Sequence, residues 1–186
     1  MSMEVIQPGL LSLLQDRGRF GRHRIGLTNG GPLDSEAFDY CNSLLQNDPN
    51  ATAIEVSFGG IQLRAGIDTF ICATGAELPL LINGAEKPRW QVLAVKAGDE
   101  ISMEFARKGC RAYLGVAGGF QVPPQFGSTA TVVRENIGGL GGDKLQVGDN
   151  LPCPEGEQRK HLALPEAWRP RYQDTVTVRV IPGYQQ

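Results

Sequence analysis

The chain has 186 residues, of which 41% are hydrophobic and 20% charged, and this ordinary globular composition excludes disorder over the whole length. Its formal net charge of −2 argues against a nucleic-acid binder, because such proteins usually carry a strongly basic domain. No apolar run approaches the roughly 20 residues that cross a bilayer, and no signal peptide is visible. The sequence therefore predicts a cytoplasmic protein with neither a membrane nor a nucleic-acid partner.

The first distinctive segment, residues 15–24, combines four arginines with alternating glycines. Arginine presents a planar fork that suits carboxylate or phosphate, and glycine lets a ligand approach the backbone. A solvated surface loop in which Asp16 pairs with Arg19 explains the same composition, so both interpretations stay open. Residues 29–34 then place a turn before a helix N-terminus, which is a second element of a possible anion site.

One prominent helix is predicted over residues 35–46, since their apolar side chains recur on one helical face. Asp34 is expected to cap its N-terminus, because a carboxylate there accepts free backbone N–H groups. Capping is preferred to ligand binding for Asp34, because its charge would repel an anion. Leu33 and Phe38 are expected to form a hydrophobic staple, and Pro49 follows the end of the helix.

Eight strands are predicted, because short β-branched or alternating segments recur between turn residues, in a chain with 24 glycines and 12 prolines. Consecutive short strands without intervening helices indicate a mainly β fold, as an antiparallel barrel or sandwich. The predicted strands cover residues 53–58, 61–64, 68–74, 78–82, 90–96, 100–105, 111–117 and 175–181.

Glu55 lies in the first of these strands. Ile54, Val56 and Phe58 share one face of that strand, while Glu55 and Ser57 share the other. The simplest expectation is that Glu55 faces solvent. Alternatively, its carboxylate faces a cleft of the barrel, where it acts as a general base or binds a polar ligand.

The chain is predicted to consist of three segments that differ in composition. Residues 1–152 are predicted to form the β-rich domain, and the polar, proline-rich residues 153–174 to form a surface excursion with a helical turn at 165–168. Residues 175–186 are expected to form a strand that leads toward a C-terminal half absent from this sequence. The valines on one face of that strand predict an unpaired apolar edge and hence self-association.

The sequence predicts no metal site and no familiar nucleophile. Its two histidines, His23 and His161, lie in segments of different character. The G-x-S-x-G pattern of α/β-hydrolases is absent, and Lys144 in the glycine-rich run 138–144 lacks the following Ser or Thr of a phosphate loop. No two cysteines are close enough in sequence for a zinc motif, so these are predicted to be small buried apolar side chains: Cys41, Cys72, Cys110 and Cys153. A redox or nucleophilic role for a cysteine is the alternative.

A series of short motifs occurs in an order typical of one family. The motifs are Val5-Ile6-Gln7-Pro8-Gly9, Gln15-Asp16-Arg17-Gly18-Arg19, Gly31-Pro32-Leu33-Asp34, Ile54-Glu55-Val56, Thr74-Gly75-Ala76, Gly118-Gly119-Phe120 and Gly127-Ser128. In this respect the chain resembles the biotin-dependent carboxyltransferase family, which includes the C-type subunit of 5-oxoprolinase, the Kip antagonist and the second subunit of allophanate hydrolase. The resemblance covers nearly the whole chain but only the N-terminal part of the family.

The resemblance implies a β-rich fold related to the cyclophilin-like barrel and a role in a complex with a homologous partner subunit. The leading hypothesis is the N-terminal part of a protein like the 5-oxoprolinase C-type subunit, inactive alone, in a complex that uses ATP to open 5-oxoproline to glutamate. One alternative is biotin-dependent carboxyl transfer to urea or a similar amide, with biotin carried by another protein. The other is a non-catalytic regulatory binding protein similar to the Kip antagonist.

Candidate site residues follow from the motifs and from residue chemistry. Glu55 and Asp16 are the candidates for catalysis, Glu55 by proton transfer or by a hydrogen bond to the substrate. Arg19 is assigned to anion binding. The candidates for substrate binding are Arg19, Asp34, Asn42, Gly118, Gly119 and Ser128. The family's Gly-Ser-Arg-Ser-Thr block departs here from its pattern, since Thr129 stands in place of the arginine.

Overall fold

The computed structural model describes residues 1–155, 160–173 and 175–184. Its regular structure consists of one α-helix, eleven strands and three 3₁₀ turns. The helix is α1 (Ser35–Leu44), and the 3₁₀ turns are His23–Ile25, Val133–Glu135 and Glu166–Trp168. The strands are β1 (Ser2–Pro8), β2 (Leu11–Gln15), β3 (Ala53–Ser57), β4 (Ile61–Ala65), β5 (Thr69–Glu77), β6 (Leu80–Ile82), β7 (Ala85–Lys87), β8 (Val92–Val95), β9 (Glu100–Met103), β10 (Lys108–Val116) and β11 (Asn150–Pro152).

The strands form two antiparallel sheets. A six-stranded sheet has the order β11-β1-β4-β9-β6-β7, and a five-stranded sheet has the order β2-β3-β10-β5-β8. The mainly β antiparallel fold with one prominent helix is thereby confirmed. The sheets do not close into a barrel, because the described residues provide no further strand to pair beyond the outer strands of either sheet.

Two apolar clusters cover the two faces of the five-stranded sheet. Side chains alternate along β3, so that Ile54 and Val56 pack into the core between the sheets, with residues such as Leu63 of β4. Ala53 belongs to the second cluster, where α1 contributes Phe38 among others. The helix, the five-stranded sheet and the six-stranded sheet are therefore stacked as three layers.

The N-terminus of α1 has the predicted cap, since the Asp34 carboxylate accepts a hydrogen bond of 3.0 Å from the Ala37 N–H. The helix ends at Leu44, two residues before the predicted end. The predicted hydrophobic staple is wrong. Leu33 is 69% exposed, whereas Phe38 is buried against the sheet. There the Phe38 and Tyr113 rings meet edge to face, with their centroids 5.8 Å apart.

Several strand predictions need correction. The sequence patterns missed β1, β2, β7 and β11, while the predicted strand over 175–181 does not form in the described residues. Val176, Val178 and Val180 are exposed there, because a strand needs a neighbouring edge and no described backbone group pairs with this segment. The self-association expected from these valines stays a prediction, as do the domain boundaries at 152 and 174.

Residues 160–173 are attached to the rest of the fold at defined points. Ala163 pairs with Gln91 in an isolated antiparallel bridge, and Leu164 is buried with the helix-side cluster. Three of the cysteines are buried as predicted, whereas Cys110 is exposed. Within the described ranges no helix is long and apolar enough to span a membrane, and no three His, Cys, Asp or Glu side chains converge as metal ligands would.

Candidate functional site

The structure divides the predicted site residues among three groups. Asp16, Arg19 and Ser128 lie together where β2 ends. Asn42 lies at the opposite end of α1 from Asp34. Glu55 and Asp34 form the third group, between β3 and the start of the helix. The groups differ in how many of their polar atoms have hydrogen-bond partners within the described protein.

Asp16 joins the end of β2 to the loop formed by residues 127–131. It is 3% exposed, and its Oδ1 accepts hydrogen bonds from the Gly18 N–H at 2.9 Å and the Ser128 hydroxyl at 2.5 Å. Its Oδ2 accepts a third from the Thr129 N–H at 2.8 Å. Because both oxygens have protein donors, this arrangement positions the loop, and it explains why Ser128 lies beside Asp16.

Arg19 is an enclosed cation with unused donors. The side chain is 1% exposed, Nη2 donates to the Ala130 carbonyl, and Nε and Nη1 have no hydrogen-bond partner among the described residues. Burial lowers the pKa of Arg19, while the charges of Asp16 and Glu135 oppose that shift. A side chain at Gly138 would collide with this guanidinium, because a Cβ there would lie 2.9 Å from Nη2. Arg19 Nε and Nη1 could therefore donate hydrogen bonds to a ligand oxygen that comes within reach of them.

Asn42 and the two glycines take part in a network that fixes the C-terminal end of α1. The Asn42 amide donates to the Ala51 carbonyl at 2.9 Å and accepts from the Asn47 amide at 3.1 Å. Asn47, which the candidate set omitted, also accepts from the Gly118 N–H at 2.7 Å. The Gly119 N–H donates to the Val116 carbonyl. These polar groups are used within the protein, so this network anchors the helix to the end of β10.

Glu55 is buried rather than solvent-facing, at 5% exposure, because the segment before α1 covers its face of β3. Its Oε2 accepts hydrogen bonds from the Tyr113 hydroxyl at 2.6 Å and from the Leu33 N–H at 2.8 Å. Its Oε1 lies 3.6 Å from Arg111 Nε, a buried group that has no hydrogen-bond partner in the described part of the chain. One carboxylate oxygen is therefore fixed by two donors, and the other faces a cation.

Two tyrosines complete the Glu55 group, and the sequence patterns identified neither as a site residue. The Tyr113 hydroxyl accepts from the Asp34 N–H at 2.8 Å, and the Tyr172 hydroxyl donates to Asp34 Oδ2 at 2.6 Å. Burial raises the pKa of Tyr113 and of Tyr172 well above the ordinary value, and the neighbouring carboxylates Glu55 and Asp34 raise them further. Both phenols are therefore neutral hydrogen-bond donors across the physiological pH range.

Tyr113 stands directly opposite Glu55 in the β3–β10 pair, and this pairing identifies it as a site residue. The sequence does not show which residues of two strands are paired, so sequence analysis did not find Tyr113. A cavity of about 320 Å³ borders the group and is lined in part by Leu33, Asp34, Arg111 and Tyr172. Of this group, Asp34, Arg111 and Tyr172 line the cavity, whereas Glu55 and Tyr113 do not, and Glu55 is paired with Arg111. An arginine, a phenol and a carboxylate on a cavity wall form an arrangement that can bind and polarise an amide.

Replacing Tyr113 by phenylalanine is expected to lower the free energy of unfolding by about 1–3 kcal/mol, because the Asp34 N–H loses its acceptor and Glu55 Oε2 keeps only one of its two donors, the Leu33 N–H. Urea denaturation followed by circular dichroism measures the change. Tyr40→Phe is the matched control, since the Tyr40 hydroxyl has no hydrogen bond among the described residues. Equal stability of the two variants would contradict the network.

Comparison with known proteins identifies the family. The family described as carboxyltransferase domain, subdomain A and B, matches residues 25–186. Urea amidolyase of Saccharomyces cerevisiae is 34% identical over 185 residues, covering 96% of this chain and 10% of that protein. The C-type subunit of 5-oxoprolinase from Escherichia coli is 37% identical over 157 residues, covering 84% of this chain and 50% of that protein. The chain therefore spans at most about half the length of these two relatives.

Solved structures agree with the fold. The urea amidolyase of Kluyveromyces lactis superposes with a TM-score of 0.86 at 32% identity, covering 92% of this chain and 11% of that chain. The urea carboxylase of the same yeast superposes with a TM-score of 0.85, also at 32% identity, covering 92% of this chain and 16% of that chain. With a family match over residues 25–186, the chain belongs to the carboxyltransferase domain family, subdomains A and B.

Proposed function

We propose that the chain is the N-terminal part of a protein like the 5-oxoprolinase C-type subunit. In this proposal it acts in the cytoplasm within a multi-subunit complex that opens 5-oxoproline to glutamate at the expense of ATP. The observation that carries the proposal is the identity of 37% and 39% to the corresponding 5-oxoprolinase subunits of Escherichia coli and Haemophilus influenzae. ATP, and the homologous partner subunit, would come from the rest of the complex, and the chain would be inactive alone.

The Glu55 group supports this proposal through its chemistry. A lactam offers an N–H donor and a carbonyl acceptor, and 5-oxoproline also carries a carboxylate. Glu55 Oε1 accepts no hydrogen bond from the described residues, so it is assigned to the substrate N–H as a hydrogen-bond acceptor or proton acceptor. Arg111 Nε, next to that oxygen, is assigned to the carbonyl or the carboxylate. Arg19 keeps its assignment as an anion-binding residue, and Asp16 is assigned to positioning its loop.

In the reconstituted complex, Glu55→Gln is expected to lower ATP-dependent glutamate formation by about 10²- to 10⁴-fold, the range typical of a lost general base. The substitution keeps the shape of the side chain, so Tyr113 and the Leu33 N–H retain an acceptor. Glu4→Gln is the control, since Glu4 is a half-exposed carboxylate paired with Arg64 on the other sheet. Absence of glutamate from the wild-type complex would sink the assignment of substrate. An unchanged rate in Glu55→Gln would sink the role of Glu55.

A second candidate function is biotin-dependent carboxyl transfer to urea or a similar amide. The observation in its favour is the match to urea amidolyase over 96% of the chain, together with the superposition on urea carboxylase. These 186 residues carry no Met-Lys-Met attachment motif, so in this proposal the biotin carrier lies outside them. Bicarbonate incorporation that depends on a separate biotin carrier distinguishes this function from lactam opening. No such dependence with any carrier would eliminate it.

A further inference from the structure

A second and larger cavity lies apart from Arg19 and Glu55. Its volume is about 490 Å³, within the range of small-molecule sites, and it opens between β5, β10 and the segment 166–172. Three arginines line it, Arg89, Arg169 and Arg171, and Trp90 lines it as well. Tyr172 connects its rim to the Glu55 group, whereas Glu55, Arg111 and Tyr113 do not line it. The cavity therefore adjoins the one beside the Glu55 group, with which it shares Arg171 and Tyr172, but it has its own set of charged side chains.

Arg89 is held in place by backbone carbonyls of β5. Its Nη1 donates to the Gly75 carbonyl at 3.1 Å and to the Ala76 carbonyl at 2.6 Å. Among residues 1–155, 160–173 and 175–184, its Nε and Nη2 groups have no hydrogen-bond partner. Since the side chain is anchored through one nitrogen, the rest of its fork is preorganised for a ligand.

Arg169 lines the same cavity from the segment 166–172 and is anchored in a similar way. Its Nε donates to the Leu164 carbonyl at 3.0 Å, and the described part of the chain offers no partner to its two Nη groups. Burial lowers the pKa of Arg89, and the positive charges of Arg169 and Arg107 lower it further, while Glu77 opposes them. The two guanidinium groups line the same cavity, and an anion bound between them would offset the repulsion of their charges.

We propose that this cavity binds a small molecule through an oxyanion group, a carboxylate or a phosphate, held between Arg89 and Arg169. Guanidinium forks match the geometry of both groups and bind them by charge-assisted hydrogen bonds. Glu77 and Glu166 also line the cavity, so the rest of the ligand carries N–H or O–H donors rather than further negative charge. The site binds this ligand independently of the reaction assigned to the Glu55 group.

The two tryptophans of the chain provide the test. Trp90 lines the cavity, whereas Trp168 is 71% exposed beside it, so Trp168→Phe leaves Trp90 as the only tryptophan. This variant is titrated separately with inorganic phosphate and with acetate, at an ionic strength kept constant with chloride. A saturable change in Trp90 emission is expected with at least one of them, and the tighter of the two identifies the group that the site prefers.

Adding Arg169→Gln is expected to weaken that binding about tenfold or more, because a charge-assisted bond is lost. Arg89→Lys, which keeps the charge but loses the fork, is expected to weaken it as well and serves if Arg169→Gln fails to fold. Arg64→Gln is the matched control, since Arg64 pairs with Glu4 and Glu100 on the six-stranded sheet. Two results would overturn the proposal. One is a Trp90 emission that changes linearly with the concentration of both anions, and the other is equal affinity of the Trp168→Phe protein with and without Arg169→Gln.

Discussion

Replacing Asp16 by alanine is expected to lower the free energy of unfolding by about 3–5 kcal/mol. The substitution removes the acceptor of three hydrogen bonds, from Gly18, Ser128 and Thr129, inside a buried site. It also removes a negative charge that favours the buried Arg19 cation. Guanidinium denaturation followed by fluorescence measures the loss.

Two further variants separate these contributions. Asp16→Asn keeps one acceptor oxygen but loses the charge, so its stability is expected to lie between that of the wild type and that of Asp16→Ala. Adding Arg19→Met to Asp16→Ala is expected to recover part of the loss, because the uncompensated buried charge disappears. A wild-type stability for Asp16→Ala would show that the carboxylate does not hold the loop, and would return Asp16 to the candidates for catalysis.

Phe38→Ala is expected to lower the free energy of unfolding by about 3–5 kcal/mol, because it opens a cavity between α1 and the five-stranded sheet. Phe38 is fully buried and packs against Tyr113, whose hydroxyl contacts both Glu55 and the start of the helix. The loss is therefore expected to extend to the Glu55 group. Thermal unfolding and the near-ultraviolet circular dichroism of the tyrosines report the two effects.

Leu33→Ala is the control for this prediction. Leu33 was the expected staple partner of Phe38, but it is 69% exposed, so its truncation is expected to change stability by less than about 0.5 kcal/mol. A Leu33→Ala variant as destabilised as Phe38→Ala would restore the staple and contradict the structure. Phe38→Leu, which keeps most of the buried volume, is expected to lose less than Phe38→Ala.

Strand β10 connects the parts of the molecule that bear on function. Arg111 and Tyr113 of this strand contact Glu55, and its last residue, Val116, accepts a hydrogen bond from Asn47. Its first residue, Lys108, lines the cavity assigned to an oxyanion. These positions lie on one strand, β10, which is the central strand of its sheet.

Sequence reasoning was least successful for features that depend on strand pairing. The exposed position expected for Glu55 was wrong, since the alternation in β3 identified its face but not what covers that face. The segment 175–181 has the alternation of a strand, yet its residues stay unpaired among those described. Strand β2 was missed, because its identity depends on pairing with β3 rather than on alternation. A strand is defined by its neighbour, which a local pattern does not contain.

The mainly antiparallel β architecture, the helix with its Asp34 cap, and the family could be predicted from the sequence. These depend on residues a few positions apart, or on motifs in a fixed order. The surroundings of the polar residues, in contrast, became visible in the folded structure. Glu55 meets Tyr113 across 58 residues, and Asp16 meets Ser128 across 112. The chemistry of a buried polar group depends on its hydrogen-bond partners and on its burial, and here both come from chain segments that only folding brings together.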